Sequence, residues 1–306
     1  MEFDAKVAEV LSSTRVLEFT TLTPAGGVST RPMAGVWFGE RGEIVLTTPA
    51  AYSRKVLDIR RDGRVALLYS DPAGSGLTGM PVVLIQGRAT APEVVLPPQD
   101  LERYWRGVLD ARPPWADATD DPFYRSAMGW FYTRLPIVVT PLRVDVLEPA
   151  VTGGDWQPPP PDGASMNERI SDALTRYPTA VFAARDRHGA PCSTRATVSW
   201  TDAGTLRLRP ARPFAGTSGP ADLLWHRHDG HAGDLASLLV TGEAAEIRGE
   251  WMLTPARVPR PAGHREPPSY QEWLEDGQTR SQAYLSERGI TPPNIDWDAL
   301  TSYKAP

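Results

Sequence analysis

The chain begins with a helical pattern. Asp4 stands ahead of Val7, Val10 and Leu11, the spacing of one helix face behind an N-cap. The pattern then turns to runs rich in β-branched and aromatic residues: "VLEFTTLT", "VSTRPMAGVWF", "EIVLTT", "RVALLYS" and "PVVLIQGRAT". Gly, Pro and Asp punctuate them, as in the turns "PAGG" and "GERG". This alternation predicts an antiparallel meander, and so many strands with so few helices predict a small barrel. A second helix start follows at Ser165 and Glu168, a capping-box pair ahead of Ile170, Ala173, Leu174 and Tyr177. Two more helical stripes stand apart. One carries Leu101, Tyr104, Trp105, Val108 and Leu109, and the other carries Tyr270, Trp273 and Leu274, then Tyr284 and Leu285.

The same order of blocks occurs twice. Ser29-Thr30-Arg31 matches Ser193-Thr194-Arg195 at an offset of 164, and Trp37 matches Trp200 at 163. "LDIRRDG" (57–63) matches "LWHRHDG" (224–230) at 167, and "LIQGRA" (84–89) matches "LVTGEA" (239–244) at 155. "VTPLRV" (139–144) matches "LTPARV" (253–258). Five blocks in one order point to a tandem duplication. The first copy holds an insert: Gly87 and Pro141 are 54 positions apart, Gly242 and Pro255 only 13. "VTGGDWQPPPPDGAS" lies between the copies, a stiff Pro-rich connector. The expected division is therefore 1–150, a linker at 151–164, and 165–306 with a helical tail. The fold class is mainly β with α, two fused barrels that can pair within one chain, so a monomer suffices.

Charge narrows the partners. The 306 residues carry a net charge of -5, which argues against a nucleic-acid partner. No apolar run reaches membrane-spanning length, so no membrane partner is expected. Cys192 is the only cysteine, in keeping with a cytoplasmic protein, and its strand setting offers nothing to activate it as a nucleophile. Against this acidic background, "AAYSRKVLDIRRDGRVALL" (51–69) concentrates Arg54, Lys55, Arg60, Arg61 and Arg64. Such a cluster suits a small anion. Arg54, Lys55 and Ser53 have the chemistry to grip a phosphate, but Arg54 and Lys55 read equally as a solvated face of their helix. Arg60, Arg61 and Arg64 lie beyond that triad and read as a solvated face.

The series "STRPMAGVWF…GEIVLTT…AAYSRKVLDIRRDGRVALLYSDP…VVLIQGRAT" resembles the FMN-binding split-barrel family, the pyridoxamine 5'-phosphate oxidase-like proteins, over about residues 1–150. Over 165–260 the resemblance is weaker and follows mainly from the repeat. It implies an FMN-dependent oxidoreductase acting on a small molecule. A deazaflavin-dependent reductase, a non-catalytic flavin-binding protein and a scaffold without cofactor remain as alternatives. By resemblance, Thr48, Ser53, Arg54 and Lys55 hold the flavin phosphate. The strand with Arg31, Pro32, Met33 and Ala34 runs beside the ring, and Gln86 meets the ring's polar edge. Trp37 is either a ring cover or a barrel-core residue.

In the second copy, the offset of 167 sets Pro220, Ala221 and Asp222 at the Ser53, Arg54 and Lys55 positions. An aspartate there would repel a phosphate, so one flavin per chain is expected. "HRHDGH" holds His226, His228 and His231. Its alignment with a helix end makes it a solvated loop, because residues two apart on a helix do not share a face. No metal is expected. The loop "DPAGSGLTGMP" (71–81) lacks the ending of a P-loop and reads as a hairpin loop at a barrel mouth.

Overall fold

A computed structural model describes residues 3–110, 116–153, 163–211, 213–230, 235–259 and 270–304. Most of the Pro-rich linker, and His231, lie outside the described residues.

The first copy runs α1 (Ala5–Ser13), β1 (Val16–Leu22), β2 (Val28–Phe38), β3 (Glu43–Pro49), α2 (Arg54–Arg61), β4 (Arg64–Tyr69), β5 (Val82–Thr90), α3 (Glu102–Leu109), α4 (Pro122–Tyr132) and β6 (Arg134–Leu147). Its six strands close an antiparallel barrel in the order β1-β2-β3-β6-β5-β4. The second copy runs α5 (Met166–Arg176), β7 (Ala180–Arg185), β8 (Pro191–Trp200), β9 (Leu206–Pro210), β10 (Gly219–Arg227), β11 (Ala236–Ile247) and β12 (Glu250–Arg257). It closes a barrel whose order, β7-β8-β9-β12-β11-β10, repeats the first. Two helices follow, α6 (Tyr270–Glu287) and α7 (Trp297–Ser302). Among the described residues no helix is long and apolar enough to cross a membrane.

Local chemistry sets these elements. Asp4 Oδ1 accepts from Val7 N–H at 2.8 Å, which starts α1. Ser165 and Glu168 form both bonds of the capping box that starts α5. In both copies the fifth strand has a bulge at a glycine. The register shifts at Gln86/Gly87 and again at Thr241/Gly242, with Gly87 opposite Pro141 and Gly242 opposite Pro255. A Cβ on Gly87 would stand 2.7 Å from Thr140 O, and one on Gly242 2.1 Å from Thr254 O. Only glycine permits that backbone approach. The copies differ after this strand. The second passes from β11 to β12 through a tight turn with both Arg248 and Gly249 at positive φ. The first inserts α3 and α4, which bury Tyr104, Trp105, Val108, Met128 and Tyr132 in a separate core beside Val36 and Phe38.

The repeat is real, but one block of the sequence alignment is corrected. "LDIRRDG" is α2 and the entry to β4, whereas "LWHRHDG" is the end of β10 and the three residues after it. The described residues between β9 and β10 contain no counterpart of α2. Asp222 therefore does not stand in the place of Lys55; it lies inside β10. A second correction is one residue long. Leu22 pairs with Val28 across the first hairpin and Arg185 with Pro191 across the second, so the hairpins superpose at an offset of 163. Trp37 and Trp200 keep their match, but Arg31 then corresponds to Thr194, and Arg195 takes the place of Pro32. A one-residue step reverses the face of a strand residue, so the two arginines of the "STR" blocks face different surroundings.

The barrels pack reciprocally, β2 against β10 and β8 against β4. This is the pattern of an isologous pair built within one chain. Ala66, Leu68, Val82, Leu84, Val181, Leu224 and Leu239 form the apolar core between them. The C-terminal helix α6 returns to the first barrel. Its Tyr284 and Leu285 join that barrel's core, and it packs on the short turn 50–52 just before α2.

Candidate functional site

The split in the first barrel is at β2. This strand pairs with β1 along residues 28–34 but with β3 only from Gly35 onward. The free edge faces the second barrel. Asp222 of β10 lies against it, completely buried, its Oδ2 accepting from Thr30 N–H at 2.7 Å and its Oδ1 from the Thr30 hydroxyl at 2.9 Å. The Thr30 hydroxyl also lies 3.1 Å from Thr20 Oγ1. Burial pushes the Asp222 carboxyl up to about 7, although the Thr30 donors and the Arg31 charge pull the other way.

Next along the edge, a group of cations gathers from three elements. Arg31 comes from β2, Lys55 from the first turn of α2 and Arg134 from the start of β6. Lys55 Nζ is 3.4 Å from Thr48 Oγ1, and the Thr48 hydroxyl donates to Tyr52 O at 3.2 Å. Burial, then the charges of Arg31 and Arg134, push the Lys55 ammonium down to about 8. Arg134 is fixed from all sides. Its Nε donates to Thr47 Oγ1 at 2.8 Å and Nη1 to Phe131 O at 3.0 Å, and its guanidinium lies 4.7 Å from the Phe131 ring centre and 5.3 Å from that of Trp105. The carboxylates within electrostatic reach are Asp222 on the Arg31 side and Asp58 on the Lys55 side. Asp58 is already engaged by Arg54 at 3.8 Å and Arg61 at 3.2 Å. Ser53 caps α2 without a side-chain hydrogen bond to the helix, which leaves its hydroxyl available to a ligand.

The structure thus brings together Arg31, Thr48, Ser53 and Lys55 from the sequence expectation. Arg54 stands apart, with its side chain 73% exposed and turned along its own helix to Asp58. Pro32 is buried, Met33 packs into the first barrel's core and Ala34 packs against the insert's core, which leaves their backbone as the part able to face a ring. Gln86 bridges the barrels: its amide donates to Asp186 Oδ2 at 3.1 Å and Pro191 O at 2.9 Å. Nothing among the described residues joins it to Arg31 or Lys55. A groove of about 290 Å³ lined by Gly26, Arg185, Asp186, Thr217 and Pro220 lies on that Asp186 side. Trp37 packs on Phe3 with ring centres 5.0 Å apart, so it is a packing residue. Sequence reasoning missed Arg134, an arginine inside the apolar run "TRLPIVV", where burial demands a reason. It also missed the role of Asp222, which no local pattern shows.

A second polar group lies between the barrels, where β8 takes the place of β2. Arg195 Nη2 donates to Glu18 Oε1 at 2.7 Å and its Nε to Ser70 Oγ at 2.8 Å. His226 Nε2 is 2.8 Å from the same Glu18 oxygen. Arg195 and Glu18 are 3% and 1% exposed, so the pair is shielded from water. Despite the opposing effect of burial, Arg195 and His226 hold the Glu18 carboxyl down at about 2.

Among solved structures, a conserved hypothetical protein from Mycobacterium tuberculosis is 25% identical, with a TM-score of 0.36, over 48% of this chain and 86% of that one. An F420 reductase is 18% identical, with a TM-score of 0.30, over 44% of this chain and 93% of that one. A protein of the pyridoxinephosphate oxidase family from Clostridium acetobutylicum, related to general stress protein 26, is 12% identical, with a TM-score of 0.33, over 47% and 86%. Each match spans about half of this chain and most of the other. No family model matches the sequence. No curated protein matches it either. The chain itself holds two six-stranded antiparallel barrels of one strand order, consistent with two split barrels in tandem.

Proposed function

We propose that this chain is a flavoprotein oxidoreductase that binds FMN with its phosphate at Lys55 and its ring along the free edge of β2, and acts on a small molecule. The observation that carries this reading is the Arg31–Lys55–Arg134 group. Burial first, and then the charges of Arg31 and Arg134, bring Lys55 down to about 8, so its ammonium sits there at a cost. A phosphate, with nearly two negative charges, relieves it. Ser53, and the backbone N–H groups at the start of α2, add donors of the kind that hold phosphate at a helix N-terminus. The flavin supplies the redox chemistry when bound. The chain's own part is to grip the phosphate and to shape the ring's slot between β2 and the second barrel. Asp222 can hold or release a proton at its edge.

One flavin per chain follows from the asymmetry of the copies. The second copy has no described counterpart of α2, and at the place of Pro32 it has Arg195 tied to Glu18 and Ser70.

The test is a cofactor titration of the full chain. FMN should bind at one equivalent with a flavin spectrum and be reduced by NADH or NADPH. Lys55→Met should weaken FMN about ten- to a hundred-fold, from about 1.5–3 kcal/mol per charged contact, while riboflavin changes little. Binding of a deazaflavin in place of FMN would shift the reading to the reductase. FMN binding without reduction by either donor would leave a binding protein. A chain that ignores both cofactors overturns the proposal.

A further inference from the structure

The buried polar group between the barrels extends one step beyond Glu18 and Arg195. His226 and His228 are two apart on an extended segment, so their side chains share a face. Their rings stack with centres 5.7 Å apart and planes 9° apart. The helical assignment that separated them in the sequence reading is corrected here, since His226 lies in β10. Asp71, just after β4 of the other barrel, approaches from the opposite side. Its Oδ2 is 3.8 Å from His228 Nε2. Asp71, His226 and His228 are all buried, and each brings a ligand atom within 4.8 Å of the other two. His226 Nδ1, His228 Nε2 and Glu18 Oε2 are buried with no hydrogen-bond partner. Orphaned atoms at this density ask for a ligand.

The geometry points to a divalent metal site made by Asp71, His226 and His228, joining the two barrels. The donor set, two imidazoles and one carboxylate, suits a borderline ion such as Zn²⁺ or Co²⁺. Glu18 supplies the outer partner: with the ring proton on His226 Nε2 donated to Glu18 Oε1, and Arg195 Nη2, 3.0 Å from that same nitrogen, giving its hydrogen bond to Glu18 instead, Nδ1 is left as a lone pair, the arrangement common to metal-bound histidines. Glu18 and Arg195 pair with each other, and Asp71 is the carboxyl that faces the two imidazoles among the described residues. His228 asks for one adjustment. Its Nδ1 accepts from Gly230 N–H at 3.1 Å, so ligation through Nε2 moves the ring proton to Nδ1 and turns that peptide. Gly230, at φ 89°, is a residue able to turn. The site is closed where the loop after Asp71 crosses the loop after His228. A Cβ on Gly230 would stand 2.3 Å from Gly74 Cα, so the two backbones touch. The site is independent of any flavin.

The experiment is a Co²⁺ titration of the full chain after chelator treatment, read by visible absorption, with Zn²⁺ competition. One equivalent should bind, develop ligand-field bands and be displaced by Zn²⁺. His228→Ala and Asp71→Asn should each abolish the bands, and Glu18→Gln should weaken binding about 10–100-fold. X-ray absorption on the Zn²⁺-loaded wild-type chain covers variants that do not fold: two imidazole nitrogens at about 2.0–2.1 Å support the site. Failure of the wild-type chain to take up either ion overturns it. So does uptake unchanged in folded His228→Ala, or a coordination shell lacking two imidazoles.

Discussion

Asp222 ties the second barrel to the free edge of the first, and its removal can be read as a change in pH dependence. In the folded chain its carboxyl rises from 3.8 to about 7. At about 1.4 kcal/mol per pH unit, the interval amounts to about 4 kcal/mol, an order-of-magnitude figure. The folded state takes up this proton more readily than the unfolded one. The contribution is therefore fully present below about 3.8 and is lost as pH rises through about 7. Asp222→Asn removes the titration and keeps the contacts. The amide oxygen accepts from Thr30 N–H, and the amide nitrogen donates to the Thr30 hydroxyl, which then turns to Thr20 Oγ1. Urea unfolding of both proteins, followed by tryptophan fluorescence from about pH 4.5 to pH 8.5, measures the difference. Wild type should lose stability relative to the variant by several kcal/mol between about pH 4.5 and pH 7, and no more beyond pH 8. Taking the difference cancels every other titrating group. Parallel stability curves across that range would refute the assignment of Asp222 as a buried acid.

Lys55 titrates from about 8, and its cationic form binds phosphate. FMN affinity measured by fluorescence quenching should hold below pH 8 and fall above it, and Lys55→Met should abolish that fall. Glu18→Gln leaves Arg195 as an uncompensated buried charge. A loss of about 3–5 kcal/mol in chemical denaturation is expected, and a loss under 1 kcal/mol would show water reaching the pair. Gly277 of α6 lies against Trp130, where a Cβ would stand 2.3 Å from the indole. Gly277→Ala should cost about 1–3 kcal/mol by overpacking and increase protease cleavage within α6, whereas an unchanged digestion pattern would show that α6 docks elsewhere.

Periodicity and turn chemistry settled much of this molecule before folding is considered. The caps at Asp4 and Ser165 are local, and so are the strand runs. The repeated Gly–Pro pairs at the bulges are legible as well, because a glycine whose Cβ would stand within 3 Å of a facing carbonyl can hardly change. The basic segment at Ser53, Arg54 and Lys55 is also a local signal. Tertiary structure decided the rest. It chose a hairpin register of 163 over the 164 suggested by the "STR" letters, since cross-strand pairing fixes register and letters do not. That single step sent Arg31 toward Lys55 and Arg195 to Glu18. It placed "LWHR" at the end of a strand, with His228 just beyond it, where the lookalike block is a helix, and so stacked His226 and His228. It brought Asp71 to them across 155 and 157 positions of chain, and Asp222 to Thr30 across 192. These pairs carry no shared pattern along the sequence, because each partner answers to the period of its own strand. They meet only where two barrels bury a common face and leave their polar atoms no water to turn to.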